Sequence, residues 1–255
     1  AHLLWEQGVP GSNPGIPTQV RRSDVEHYVR PPSFISPQEG VGFSADVVPL
    51  HCEAVASIPL SNRLMKQESR MIAKTLQALE PVLAQELEAL GATDIEQGRR
   101  MVSFTGDKKV LYRANYRLRT ALRILLPIAS FRANDPDELY RQLKRLDWSE
   151  WMQAGDTFAF HTVVYSETFT HSKYVGYRAK DALVDFFTER GEKRPMVRLD
   201  NPDRLFHIHI SHDEVTLALD SSGESLHKRG WRAAQTEAPL SEVLAAGILL
   251  LAGWQ

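Results

Sequence analysis

Three closely spaced histidines form the cluster in this sequence that most resembles a metal site. His207 and His209 are two residues apart in a predicted strand, so both point to one face, and His212 follows just beyond it. A zinc site needs further ligands and hydrogen-bond partners that hold the imidazoles in place. The residues that alternate with these histidines are apolar, as an ordinary half-buried strand requires. We therefore expect packing or surface histidines and no metal.

The common catalytic motifs are absent from the sequence. It contains no glycine-rich phosphate loop, no dinucleotide-binding fingerprint and no serine nucleophile elbow. Its single cysteine, Cys52, excludes an internal disulfide framework and a cysteine-built zinc site. We therefore expect no catalytic residue in this chain.

Two basic clusters indicate contacts with phosphate groups. Near the start of a predicted long helix, Tyr177 is interleaved with Lys173, Arg178 and Lys180, and a helix N-terminus suits phosphate oxygens. The second cluster lies in a predicted linker and joins cations to an aromatic ring that can stack on an unpaired base: His227, Lys228, Arg229, Trp231 and Arg232. On spacing alone, a solvated polar face explains the helix cluster equally well, and the linker cluster is only suggestive as a bare pattern.

Composition places few limits on the function. The chain has 255 residues, 43% of them apolar, and a net charge of −2, so any basic surface has to arise from local clustering. The longest apolar run, 244–254, is about half the length of a membrane-spanning helix, and the first residues do not resemble a signal peptide. We expect a soluble, cytoplasmic protein.

The first 64 residues differ from the rest, because they are rich in proline and glycine and show no sustained apolar period. Such a segment buries too little apolar surface to become ordered, so we expect 1–64 to be disordered. The run Gly11 to Gly15 also corresponds to codons typical of the T-arm of transfer-RNA genes. Our hypothesis is that 1–64 is non-native upstream translation and that Met65 or Met71 is the natural start; a native disordered tail is the alternative.

The remaining residues predict two units. The first, 65–133, has a strand at 71–75, a helix with an apolar stripe ending at Gly91, a hairpin of strands at 93–97 and 100–104, a helix at 107–115 and a strand at 123–131. This order predicts a ferredoxin-like βαββαβ domain.

The second unit, 134–220, has a helix from Pro136 to about 146, a strand at 156–165, a long helix at 172–189 and strands at 204–210 and 214–220. Trp148 and Trp151 follow its first helix at a spacing more typical of core packing than of base stacking. Residues 221–255 predict a linker and an apolar helix at 239–251.

The predicted linker carries a family resemblance. Residues 220–232 read D-S-S-G-E-S-L-H-K-R-G-W-R and are followed at 238–246 by A-P-L-S-E-V-L-A-A. This segment strongly resembles the junction in bacterial THUMP-domain RNA methyltransferases, which include the large-subunit rRNA guanine-N(2)-methyltransferases once labelled adenine-specific DNA methylases. The segment K-T-L-Q-A-L-E at 74–80 is similar to the family's opening around G-L-E, with Ala78 in place of the usual glycine.

The resemblance implies an α+β chain in which a ferredoxin-like domain and a THUMP RNA-binding domain precede a linker and the first helix of a truncated, Rossmann-like methyltransferase domain. It implies structured RNA, in this branch 23S rRNA, as partner, and S-adenosylmethionine as the cofactor of a full-length enzyme that methylates the exocyclic amine of guanine. The family's D-P-[MF]-C-G-S-G-T and N-P-P-[YF] motifs are missing here, and Asn201-Pro202-Asp203-Arg204 does not replace the second. We therefore expect this fragment to be inactive alone and to bind no cofactor.

Two alternatives stay open from the sequence. One is a stand-alone THUMP RNA-binding module without a methyltransferase role. The other is an enzyme of another kind that uses the histidine strand.

Overall fold

The computed structural model describes residues 68–229 and 237–254, which belong to the compact unit Asp46–Gln255. The expectations for residues 1–64 lie outside the described residues. Among the described residues, no helix combines the length and the apolar content needed to cross a membrane.

The first half of the described chain alternates strands and helices in the predicted order: β1 Ser69–Lys74, α1 Glu80–Ala89, β2 Thr93–Gly98, β3 Met101–Gly106, α2 Lys108–Arg117 and β4 Arg123–Arg132. Its strands lie side by side as β2-β3-β1-β4, and each neighbouring pair is antiparallel. This arrangement is the ferredoxin-like fold that the sequence predicts.

Local signals fix the ends of these helices. Asp107 precedes α2 and accepts a hydrogen bond from the backbone N–H of Val110 at 2.8 Å, as an N-cap residue does. Gly91 follows α1 with a φ of 87°, a left-handed conformation that glycine adopts without strain. Ala78, which precedes α1, also has a left-handed backbone, with a φ of 71°.

The second half contains α3 Pro136–Lys144, a 3-10 turn Trp148–Glu150, β5 Thr157–Tyr165, α4 Ser172–Glu189, β6 Met196–Val197, β7 Arg204–Ser211 and β8 Glu214–Asp220. Strand β5 is parallel to both β6 and β7, whereas β7 and β8 form an antiparallel hairpin. The sequence analysis does not predict β6, because a two-residue strand carries no periodic signal. A final helix, α5 Glu242–Leu251, follows the linker.

Strand β4 joins the two halves into one eight-stranded sheet of order β2-β3-β1-β4-β8-β7-β5-β6. Its first residues pair with β1, and the segment from Leu125 to Arg132 pairs with β8. The buried side chains of both halves also form one continuous hydrophobic core. The two halves therefore share a sheet and a core.

The tryptophan prediction is confirmed. Trp148 is fully buried, its indole N–H donates to the carbonyl of Leu143 at 2.9 Å, and its ring packs edge-on against Phe206. Trp151 is 8% exposed. By contrast, the prediction that the last helix begins at residue 239 is wrong: α5 begins at Glu242, because Ser241 keeps an extended backbone with a ψ of 133°.

Candidate nucleic-acid interface

Residues 220–229 begin at the last residue of β8 and run back along the ferredoxin-like half, and we call this segment the strap. The carboxylate of Asp220 is fully buried at its start. It accepts hydrogen bonds from the Arg123 guanidinium at 2.5 Å and from the backbone N–H of Ser222 at 2.8 Å. The ring Nε2 of His207 lies 3.1 Å from the same carboxylate. Asp220 therefore ties the strap to both β4 and β7.

Two serines hold the next part of the strap on β4. The hydroxyl of Ser221 donates to the carbonyl of Ile124 at 2.9 Å, and the hydroxyl of Ser222 accepts from the N–H of Ile124 at 2.8 Å. Further along, Leu226 is 2% exposed, and its N–H donates to the carbonyl of Leu122 at 2.9 Å. The D-x-S-G-x-S-L pattern is thus explained by backbone pairing and packing.

Arg229 closes the strap on the carbonyl end of α2. Its guanidinium donates to the carbonyls of Leu118 at 2.7 Å and Asn115 at 3.1 Å, and also to that of Tyr116, while its Nε donates to Leu226 at 2.9 Å. Burial lowers the pKa of Arg229, and the carboxylates of Glu86 and Glu242 oppose that shift. The sequence analysis predicts a phosphate contact here, whereas the structure directs the guanidinium into the protein.

The other residues of the linker cluster have different positions. Lys228 is exposed, and the ring Nδ1 of His227 lies 2.8 Å from the hydroxyl of Ser225. Trp231 and Arg232 lie outside the described residues.

On α4, the structure separates the four predicted contacts into two kinds. Lys173 and Tyr177 are exposed, Tyr177 by 61%. Arg178 instead packs against α3, where it lies 2.6 Å from a carboxylate oxygen of Asp137 and 4.6 Å from the centre of the Tyr140 ring. Lys180 is paired with its neighbour Asp181 at 2.7 Å. Of the three cations, Lys173 is therefore the one with no carboxylate partner among the described residues.

The histidine strand has the predicted alternation. Phe206, Ile208 and Ile210 are buried, whereas His207 and His209 are half-buried on the opposite face. The structure adds His161 of β5, whose ring centre lies 4.8 Å from that of His207. This neighbour is not predictable from the sequence, because it lies 46 residues away in the chain but directly opposite in the register of β5 and β7.

Burial dominates the electrostatics of these rings. Desolvation lowers the pKa of His161, and electrostatic interactions with His207 and Arg123 lower it further. Desolvation likewise lowers the pKa of His209, with a smaller contribution from Lys74. In residues 68–229 and 237–254 no group of three or more side chains could hold a metal ion.

The outer face of α2 contains charged residues that the sequence analysis misses. Lys109, Arg113 and Arg117 are exposed there, and Lys108 and Tyr112 line an open depression of about 440 Å³ beside them. The signal that could have found them is the K-K-x-x-x-R-x-x-x-R spacing at 108–117, which places cations on one side of a helix.

The connection from β3 to α2 does not fit S-adenosylmethionine. In Rossmann-like domains, a nucleoside site needs a strand that runs through a glycine-rich turn into a helix. The connection from β3 to α2 has one glycine, Gly106, and a Cβ there would lie 2.7 Å from Val110, so the turn is packed against the protein's own side chains. The carboxylate of Asp107 already accepts from the N–H of Val110, one of the free N–H groups at the start of the helix.

Comparisons with known proteins agree with the two halves of the fold. Residues 70–125 match the model of the RlmL ferredoxin-like domain, and residues 133–220 match the THUMP domain. A ribosomal RNA large subunit methyltransferase K/L of Syntrophotalea carbinolica is 44% identical over 185 residues, which cover 72% of this chain and 26% of that protein. The enzyme of the same name from Desulfotalea psychrophila is 40% identical over 190 residues, 74% of this chain and 26% of that protein. The chain therefore spans about a quarter of the length of these relatives.

Solved structures show the same fold. A protein from Listeria monocytogenes, described as a predicted N6-adenine-specific DNA methylase, is 29% identical, with a TM-score of 0.63 over 75% of this chain and 50% of that chain. The protein SMU.472, complexed with SAH, is 28% identical, with a TM-score of 0.63 over 74% of this chain and 50% of that chain.

Proposed function

Because the chain carries an RlmL-type ferredoxin-like domain followed by a THUMP domain, as its homologues among the ribosomal RNA large subunit methyltransferases K/L do, we propose that it holds structured ribosomal RNA for methylation of a base. The observation that carries this proposal is the THUMP match over residues 133–220, which names a domain that binds RNA. In this proposal the methyl group would come from S-adenosylmethionine and pass to the exocyclic amine of a guanine in 23S rRNA. A catalytic domain outside the described residues would bind the cofactor and the base, and the described residues would hold the RNA.

The exposed cations of the THUMP half and the strap support this role. Lys173 near the start of α4 and Lys228 at the end of the strap are exposed and form no ion pair with a described residue, so their ammonium groups are available to phosphates. Tyr177 lies one turn along α4 from Lys173 and offers an exposed ring to a base. Trp231 and Arg232 extend the same proposal along the linker. Arg178, Lys180 and Arg229 bind groups of the protein itself, and the ring of His227 lies beside Ser225. We therefore assign the RNA contacts to Lys173, Tyr177, Lys228, Trp231 and Arg232.

Holding the RNA has a direct energetic purpose. A base that is methylated on its exocyclic amine has to leave its stack, which costs a few kcal/mol and costs least for an unpaired base. Contacts with the RNA body elsewhere offset this cost and fix the position of the base. Shape and backbone contacts suffice for that purpose, because RNA helices are recognised mainly through these features.

We further propose that α5 is the first helix of the catalytic domain. On one side, Val243 is buried and Gly247 lies so close to Leu79 that an added Cβ would be 2.6 Å from its Cδ2. On the other side, Ile248 and Leu249 are each 50% exposed. An apolar side of this kind is expected to pack against a further layer of protein.

A salt titration tests the RNA-holding function. Filter binding of an in-vitro transcript of large-subunit rRNA is measured for the wild-type chain and for Lys173→Ala/Lys228→Ala. We expect the slope of log affinity against log salt to flatten by about one unit for each phosphate that is no longer neutralised. Lys193→Ala, an exposed lysine beyond the other end of α4, is the control and should leave the slope unchanged. If the slope of the double variant equals that of the wild type, Lys173 and Lys228 do not contact the RNA.

A further inference from the structure

The outer face of α2 concentrates positive charge in a chain whose net charge is −2. Its ten residues contain no carboxylate and four cations: Lys108, Lys109, Arg113 and Arg117. None of the four forms an ion pair with a residue of 68–229 or 237–254. The adjoining carboxylate, Asp107, accepts from the N–H of Val110 and also lines the depression beside Lys108 and Lys109, without an ion pair to either.

Several other cations of the ferredoxin-like half are paired with carboxylates, in contrast to the four on α2. Arg70 is bonded to Glu96, and Arg119 lies 3.1 Å from Glu86. A row of cations without such partners is mutually repulsive, since like charges one helical turn apart destabilise a helix. An anionic ligand relieves that repulsion.

The spacing of the α2 cations fits a nucleic-acid backbone. Lys109, Arg113 and Arg117 are four residues apart, so they form a row along the helix with a rise of about 6 Å from one to the next. This regular spacing is comparable to that of successive phosphates along one strand. All three side chains are exposed, whereas Val110 and Ala114 bury the opposite face of α2 in the core.

Two tyrosines lie beside this row and suit the bases of the same strand. Tyr112 and Tyr116 are also four residues apart, and Tyr116 is 59% exposed. The ammonium of Lys108 lies 5.4 Å from the centre of the Tyr112 ring and holds it at the edge of the depression described above. Cations interleaved with exposed aromatic rings are the combination with which proteins bind single strands.

The strap fixes the position of this face. Arg229 holds the carbonyl end of α2 through Leu118 and Tyr116, and its neighbour Lys228 is one of the RNA contacts proposed above. The α2 face and the strap therefore move together, and a ligand that binds both stays in one orientation.

We propose that the outer face of α2 is a second RNA-binding surface, on which Lys109, Arg113 and Arg117 bind phosphates and Tyr116 stacks on an unpaired base. This inference rests on the proposed function, because it names a further surface for the same RNA. It assigns direct RNA binding to the ferredoxin-like half, in addition to the THUMP half.

The charge part is tested with Lys109→Ala/Arg113→Ala in the complete 255-residue chain. The probe is an in-vitro transcript of large-subunit rRNA, and its affinity is measured by filter binding between about 50 mM and 200 mM KCl. We expect the double variant to flatten the log-affinity slope by about 1.5 units and to bind about tenfold more weakly at the lowest salt. The fold should be retained because alanine is the best helix former and both residues are exposed, and far-ultraviolet circular dichroism checks this.

A matched control is provided by Arg141 of α3 and Arg145, the residue that directly follows this helix. Arg141 and Arg145 are also exposed, four residues apart and without an ion pair to a described residue. Arg141→Ala/Arg145→Ala removes the same charge at the same spacing and should leave the slope unchanged. Equal effects of the two pairs would overturn the proposal, because they would show a general effect of net charge.

The remaining outcomes separate this inference from the proposed function. If the wild type binds the RNA and Lys109→Ala/Arg113→Ala has the same affinity and salt slope, the α2 surface is overturned and the proposed function stands. No binding by the wild type at low salt would overturn both.

The stacking part has its own variant, Tyr116→Leu. We expect about tenfold weaker binding to a transcript with an unpaired loop and an unchanged salt slope, because stacking releases no counterions. Unchanged affinity would overturn the assignment of Tyr116.

Discussion

The guanidinium of Arg229 donates a hydrogen bond to the carbonyl of Leu118 at 2.7 Å, across 111 residues of sequence. Leu118 is the C-cap residue of α2, and its carbonyl is one of those that a helix leaves without an internal partner. A positive charge at this end is also favourable for the helix dipole. Arg229 thus stabilises the protein fold, whereas its neighbour Lys228 is exposed to solvent.

Replacing Arg229 should therefore reduce stability. We expect Arg229→Ala to lower the free energy of unfolding by about 2 kcal/mol, since hydrogen bonds to charged groups contribute about 1.5–3 kcal/mol. Arg229→Lys should recover only part of this stability, because one ammonium cannot reproduce the planar fork that reaches several carbonyls. Urea denaturation provides the measurement.

Lys228→Ala is the matched control for this variant. It should leave the free energy of unfolding within about 0.5 kcal/mol, as surface substitutions usually do, while it weakens RNA binding. Equal stability losses for the two variants would contradict the roles assigned to these neighbours.

Ala78→Gly should stabilise the protein. Ala78 is exposed and has a φ of 71°, a conformation that costs an L-residue roughly 1–2 kcal/mol. Glycine avoids this strain but loses about 0.4–1 kcal/mol through the greater entropy of the unfolded chain, so we expect a net gain of about 0.5 kcal/mol. Differential scanning calorimetry should detect a higher Tm.

The same substitution in a helical position should have the opposite sign. Ala89 is the exposed last residue of α1, where Ala89→Gly should cost about 0.5 kcal/mol. A loss of stability at both positions would show that Ala78 is not strained.

Stability should fall as the pH falls below about 6.5, the ordinary pKa of histidine. Desolvation lowers the pKa of His161 and of His209 in the folded protein. The unfolded chain then binds more protons than the folded chain between the folded and unfolded pKa values, so the folded state loses stability on acidification through that window. The charged or titratable groups near these rings include His207, Arg123, Asp220 and Lys74, and the ring of Tyr165 lies 5.8 Å from that of His209.

The double variant His161→Gln/His209→Gln tests this assignment. Urea midpoints measured at pH 7.5 and 5.5 should differ less in the variant than in the wild type. A pH dependence that persists unchanged in the variant would assign the titration to other groups.

Much of the fold follows from local patterns. The long helix at 172–189 and the strand at 214–220 have the bounds that the sequence predicts, because a sustained apolar period and a following Gly191 or a tight turn define them. The sharing of β4 by two domains could not be predicted in this way. It depends on the pairing of β4 with β8, whose residues Leu125 and Asp220 lie 95 positions apart.

The candidate site shows the limit of charge patterns more clearly. Lys173, Arg178 and Arg229 look equivalent in the sequence, but only the structure shows that Asp137 and Tyr140 engage Arg178 and that the carbonyls of α2 engage Arg229. Side-chain direction depends on tertiary contacts, which spacing along the chain does not contain. Conversely, the α2 cations become candidates only when the structure shows that none of the four forms an ion pair with a described residue.

A competition experiment tests the central claim, that these domains hold structured ribosomal RNA, most directly. Fluorescence anisotropy follows a labelled in-vitro transcript of large-subunit rRNA bound to the chain, while either the same folded transcript or an unstructured RNA of equal length is added as competitor. The proposed function predicts displacement by the folded transcript at a concentration at least about tenfold lower, because specific RNA recognition exceeds the sequence-independent attraction of phosphates. Equal displacement by the two competitors, or no binding of the labelled transcript at low salt, would contradict it.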